Sequence, residues 1–140
     1  MGRLLALVSV LAMAVTLAFP ARAQDPDLAW QIAITGQVEA FRGHDAAVAF
    51  GFAAQPFHVR FSSAEEFFLA IVSSGYAPIM ESKAHSFGEH QLIRPDLVQQ
   101  LVTFVGTDQK LYEAIYELVL EPEGWRVTGV QLVQAPGVAV

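Results

Sequence analysis

The feature that most constrains this chain is a change of hydrophobic period at Gly75. Before it, apolar residues recur every three or four positions; after it, they alternate. A period near 3.6 gives helices one apolar stripe, and a period of two gives strands one apolar face. A run of helices followed by a run of strands predicts an α+β domain, with three N-terminal helices packed on a curved antiparallel sheet. The 140 residues fit one domain and are too few for an (β/α)8 barrel, which needs about 200 or more.

Asp25-Pro26-Asp27 is a helix start signal, with Pro at an early helical position and acids around it. Trp30, Ile34, Val38 and Phe41 then form one stripe of a helix over residues 28–41, with Gln31, Gln37 and Glu39 largely off it. Gly36, inside this helix, predicts a close crossing by another element, because a missing side chain permits close approach. Gly43 suits the left-handed position after the helix, and Asp45 the N-cap of a second helix over 46–53 with Val48 and Phe52 as its buried edge. Gln55-Pro56 ends that helix, and residues 57–61 read as a short connector. Ser62 with Glu65 and Ser63 with Glu66 offer overlapping capping boxes for a third helix carrying Phe67, Phe68, Ile71 and Val72.

Downstream, residues 83–87 and 90–93 are short strand candidates around Gly88, and residues 97–105 a longer one. Residues 110–120 set Tyr112, Ala114, Tyr116, Leu118 and Leu120 against a face that carries Glu113 and Glu117, and residues 125–133 return after a turn at 121–124. Residues 134–140 read as a flexible tail.

Residues 1–23 have a different pattern. Arg3 precedes a 16-residue run, Leu4 to Phe19, polar only at Ser9 and Thr16, and Ala21-Arg22-Ala23 follows. A basic start, an apolar stretch and a small-residue site make a secretory signal peptide cleaved after Ala23. The apolar run would span roughly 24 Å as a helix, short of the ~30 Å hydrocarbon core. The expectation is an exported protein, periplasmic or extracellular, with a single domain over residues 24–140 and no membrane association after cleavage. Cleavage removes two of the eight basic residues and none of the fourteen acidic ones, leaving a formal charge of −8. That balance argues against a nucleic-acid partner. With no cysteine, the chain has no disulfide, thiolate metal site or thiol nucleophile, and its stability must come from packing.

The pieces Gln37-Val38-Glu39-Ala40-Phe41-Arg42, Ala49-Phe50-Gly51-Phe52-Ala53, Phe67 to Pro78 with its Gly75-Tyr76-Ala77-Pro78, and Gly124-Trp125-Arg126-Val127-Thr128-Gly129-Val130 occur in an order and spacing that resemble an exported bacterial family catalogued as domain of unknown function 4864. The element order also resembles the NTF2-like cone fold, whose relatives include SnoaL- and ketosteroid-isomerase-like enzymes, binding modules and dimerising scaffolds. The resemblance implies a cone with an apolar interior and an open mouth; it implies no activity. After Pro78 the family tends to carry a Tyr-Arg-Pro type motif, where this chain has Ile79-Met80-Glu81.

Candidate chemistry is sparse. His44-Asp45 pairs an imidazole with a carboxylate, but Asp45 is needed as a cap. Glu81, His85, Glu89 and His90 are possible metal ligands by type; His85 and His90 could meet only if Gly88 makes a tight hairpin, and no metal or other cofactor is expected. Asp45 and His85 are the weak catalytic candidates. Trp30, Tyr76, Tyr112, Tyr116 and Trp125, apolar bodies with polar tips, are the cavity candidates. The reading that follows is a non-catalytic module that binds a small apolar ligand or a partner. Its rivals are a cavity-based isomerase- or hydrolase-like enzyme and a homodimeric scaffold.

Overall fold

The computed structural model describes residues 27–133. The expected signal peptide and its cleavage site after Ala23, the Asp25-Pro26 start signal and the tail 134–140 lie outside the described residues.

Five helices precede four strands: α1 Ala29–Arg42, α2 Ala46–Gly51, α3 Gln55–Arg60, α4 Ala64–Ser73, α5 Ala77–Met80, β1 Ser82–Arg94, β2 Leu97–Gly106, β3 Leu111–Glu121 and β4 Gly124–Val133. The strands form one antiparallel sheet in the order β1-β2-β3-β4. This is the α+β architecture that the change of period predicts, and its element order is the one the cone resemblance implies.

α1 forms where the stripe places it. Ile34, Val38 and Phe41 are buried and Trp30 is half-buried. Its N-terminus is closed by Gln31, whose Oε1 accepts from the Leu28 backbone N–H at 3.0 Å, with no acid in the first turn. Gly36 does face a close crossing: a Cβ there would stand 2.5 Å from the Phe52 ring. Gln37 corrects the expectation that it lies off the stripe. It is 4% exposed, and its Nε2 donates to the Ala49 carbonyl at 3.1 Å, so its polarity is met inside the helical layer.

The left-handed residue after α1 is His44 (φ 55°), not Gly43 (φ −84°). Asp45 caps α2 as expected, its Oδ1 accepting from the Val48 N–H at 3.2 Å. The buried edge of α2 is Ala49; Val48 is exposed and Phe52 lies beyond the helix, which ends at Gly51. Residues 57–61 are no connector, because Pro56 sits in the first turn of α3 and starts a helix there. At α4, Ser63 accepts from the Glu66 N–H at 3.1 Å, while the Glu66 carboxylate takes both the N–H and the hydroxyl of Ser62. One box forms, built on Ser63 and Glu66, and Ser62 lends the returning donors.

β1 is one strand of 13 residues where two short ones are expected. Gly88 does not turn the chain; the register with β2 shifts between Phe87 and His90, a bulge. The bulge exposes inward carbonyls, and Gln100, fully buried on β2, answers them: its Nε2 donates to the carbonyls of Gly88 (2.9 Å) and Glu89 (3.3 Å).

Two cores result. One lies between α1 and the inner sheet face, where Ile34 and Val38 meet Val98, Val102, Phe104, Ala114, Tyr116 and Leu118. The other lies within the helical layer, where Phe41, Ala49 and Phe67 are packed by further phenylalanines. β4 is tied to the helical layer by two hydrogen bonds of 2.8 Å, Ala54 N–H to the Val127 carbonyl and Val127 N–H to the Phe52 carbonyl.

Candidate functional site

A cavity of about 340 Å³ opens at the seam between the two cores. That is at the small end of the range for small-molecule sites, about 300–1,000 Å³. Phe41, Phe57 and Phe67 wall it on the helical side, and Tyr116, Val127 and Val130 on the sheet side. Most of the lining is apolar, with Arg60 its one charged side chain among the described residues.

Alternation on β3 places Tyr116 on the inner face between Ala114 and Leu118, all three buried. The residue is 1% exposed, yet its hydroxyl hydrogen-bonds no group among the described residues. No polar side-chain atom among those residues is both sealed off and unpaired, so this oxygen touches the free space of the cavity. Gln37 behaves alike: its Nε2 is committed to Ala49, and its Oε1 makes no bond and faces the same space. Two further hydroxyls of the wall are already committed, Tyr76 to the Val130 carbonyl at 2.8 Å and Ser74 to the Ala70 carbonyl at 2.5 Å. Deep in the cavity, away from Arg60, Tyr116 and Gln37 thus present a free donor and a free acceptor in an apolar surround. Burial pushes the Tyr116 phenol above its ordinary value, a shift only partly opposed by the Arg42 charge. At neutral pH it is a hydroxyl that donates, not a phenolate that accepts a proton.

Of the five aromatic candidates, Tyr76 and Tyr116 line the cavity and three do not. Trp30 packs edge-on against Trp125 (5.5 Å) and His90 (5.1 Å) and donates its indole N–H to Gln100 Oε1 at 2.9 Å. Trp125 belongs to that cluster. Tyr112 shares the parity of Tyr116 but sits at the strand end, where its hydroxyl donates to Asp108 at 3.0 Å. Asp45 is occupied as a cap, and His44 leans on Phe68.

His85 sits in a polar cluster outside the cavity lining. The Arg42 Nη2 donates to His85 Nδ1 (3.1 Å) and to Ser82 Oγ (2.9 Å), and Arg42 Nε reaches the same Ser82 oxygen. A guanidinium can only donate, so Nδ1 is an acceptor and the imidazole proton is on Nε2, which donates to Thr35 Oγ1 at 3.0 Å. Burial first, and the Arg42 charge second, hold His85 below its ordinary pKa. The cluster fastens α1 to β1. His90 is in different company, against Trp30. No three metal-ligating side chains come together among the described residues.

The spacing could have exposed Gln37, which lies three residues after Ile34 and four before Phe41; its polarity hides it. Nothing in the sequence points to Arg60, because the helix that carries it is too short to show a period.

A family model matches residues 23–140. The chain belongs to the family described as Domain of unknown function (DUF4864). The DUF4864 pieces at 37–42, 49–53 and 67–78 supply Gln37, Phe41, Ala53, Phe67 and Tyr76 to the cavity wall, and Ile79 and Met80, where the expected motif is absent, also line it. No curated protein matches this DUF4864 chain. Among solved structures, it is similar to an NTF2-like family protein from Streptomyces avermitilis that bears a dehydratase name, with 11% identity and a TM-score of 0.46 over 76% of this chain and 94% of that one. No helix among the described residues is long and apolar enough to cross a membrane.

Proposed function

We propose that this DUF4864 protein is a non-catalytic binding module whose cavity takes a small, mostly apolar molecule bearing one uncharged oxygen group. The observation that carries the reading is the Tyr116 hydroxyl, buried without a protein partner at the wall of an apolar cavity. A hydroxyl that bonds no described group and opens onto an apolar cavity is satisfied there by water or by a ligand, so the site has a place for a partner that arrives from outside. A ligand hydroxyl can accept from Tyr116 and donate to Gln37 Oε1, satisfying both at once. The side chains that wall the cavity at that depth are neutral, so a net charge buried there is disfavoured. Chemistry is not favoured: among the described residues the wall has no carboxylate and no imidazole, and Tyr116 is a poor base while it stays protonated.

The module works outside the cytoplasm, if the signal-peptide pattern of residues 1–23 is used as read. The test is organic extraction of the purified protein followed by mass spectrometry, beside a Tyr116→Phe variant. A small apolar oxygenated molecule retained by the wild type and depleted in the variant is expected; retention of the same molecule at the same level by both would refute the assignment.

A homodimeric scaffold is the second reading. On the outer sheet face Leu97, Leu101 and Val105 of β2 lie opposite Val119, Ile115 and Leu111 of β3, all partly exposed, with Glu113 and Glu117 between them. Light scattering at micromolar concentration tests it: a monomer removes this reading and leaves the first standing.

A further inference from the structure

We infer that the molecule held in the cavity carries a carboxylate at its outer end, held by Arg60; this rests on the binding reading above and adds a charge to it. Arg60 ends α3 and is exposed at the edge of the cavity. Among the described residues the other arginines all have partners. Arg42 donates to Ser82 and His85, Arg94 pairs with Asp96 at 3.2 Å, and Arg126 reaches the carbonyls of Trp125 and Glu123. Arg60 donates to none of the described groups, although the sequence holds fourteen acidic residues against eight basic ones. Its guanidinium carbon lies 5.5 Å from the centre of the Phe61 ring, itself part of the wall. That contact holds the cation at the lip by its face and leaves its N–H edge for a ligand.

The edge of a guanidinium is a planar fork that fits a carboxylate with two parallel hydrogen bonds. A phosphate monoester fits the fork too, but it carries about −1.5 to −2 charges, and one guanidinium offsets only one of them. On a chain with acidic excess, a monoanion is the better match. The ligand is therefore a slender apolar carboxylate with a hydroxyl at the far end: the acid at Arg60, the hydroxyl at Tyr116 and Gln37.

Two probes differ only at the outer end, 10-hydroxydecanoate and 1,10-decanediol. Isothermal titration calorimetry of the purified protein at pH 7 and low salt compares them in the wild type and in Arg60→Gln. The hydroxy acid is expected to bind the wild type about fivefold tighter than the diol, the size of one exposed ion pair near 1 kcal/mol. In Arg60→Gln the acid loses that advantage while the diol binds as before, which also shows that the variant is folded. Added salt shrinks the preference in the wild type. Equal affinities in the wild type, or a preference that survives the substitution, overturn the carboxylate and leave the binding reading in place. Failure of both probes to bind the wild type overturns both.

Discussion

Replacing Tyr116 with Phe removes one oxygen and nothing else, and the structure fixes the sign of the result. A buried tyrosine that hydrogen-bonds within its own protein loses about 1 kcal/mol when cut to phenylalanine. Tyr116 has no such bond among the described residues. Its hydroxyl gives up hydration on folding and is repaid only by water in the cavity. An unrepaid hydroxyl costs about 1–3 kcal/mol, and cavity water recovers much of that. Tyr116→Phe in the ligand-free protein is therefore expected to be neutral or stabilising, by up to about 1 kcal/mol, or about 4 °C for a domain of this size. The assay is urea unfolding followed by tryptophan fluorescence, with the T-shaped Trp30–Trp125 pair as the reporter. With ligand present the order reverses, because only the wild type gains from the occupant. A loss of 1 kcal/mol or more in the ligand-free variant, at unchanged m-value, refutes the reasoning, since it would mean that the hydroxyl is already bonded inside the protein.

Gly36→Ala would gain about 1 kcal/mol of helix propensity in open space, but its Cβ meets the Phe52 ring at 2.5 Å, and overpacking costs about 1–3 kcal/mol; a net loss in urea unfolding is expected, turning to a gain when Phe52→Leu is added. Gln100→Leu strands the carbonyls of Gly88 and Glu89 and the indole N–H of Trp30, so a loss of about 2–4 kcal/mol is expected by the same assay, with faster amide exchange along β1. His85 is held below its ordinary pKa, so the unfolded chain takes up a proton that the folded one resists; stability is full above about pH 6.5 and falls as the pH drops below it. Thermal melts from pH 7.5 to 5 should show that fall, and His85→Gln should flatten it; an unchanged slope in the variant would place the titrating group elsewhere.

Much of the fold is legible in the residues, and the misses have physical causes. The stripe of α1, the crossing at Gly36, the Asp45 cap and the sheet follow from spacing, because burial on one face is what spacing encodes. α3 and α5 escape because six and four residues are too few for a helical period to register. β1 looks broken at Gly88 because a bulge interrupts alternation just as a turn does, and only the buried Gln100 on the neighbouring strand tells the two apart. At the site, alternation singles out Tyr116, but it cannot tell Tyr116 from Tyr112. The difference is position along β3: one ring lies under the helices, and the other at the end beside Asp108. Gln37 and Arg60 escape for different reasons: the polarity of Gln37 masks a spacing that fits the buried stripe, and Arg60 sits on a helix too brief to show a period.

The two greasy centres of this domain meet across a gap, stitched at Phe52–Ala54 by two backbone bonds to β4. Whatever fills that gap becomes mortar between them. Empty, the helical cap and the sheet can loosen one after the other on heating; filled, they have to let go together. Occupancy would then be written less in the shape of the molecule than in the sharpness with which it melts.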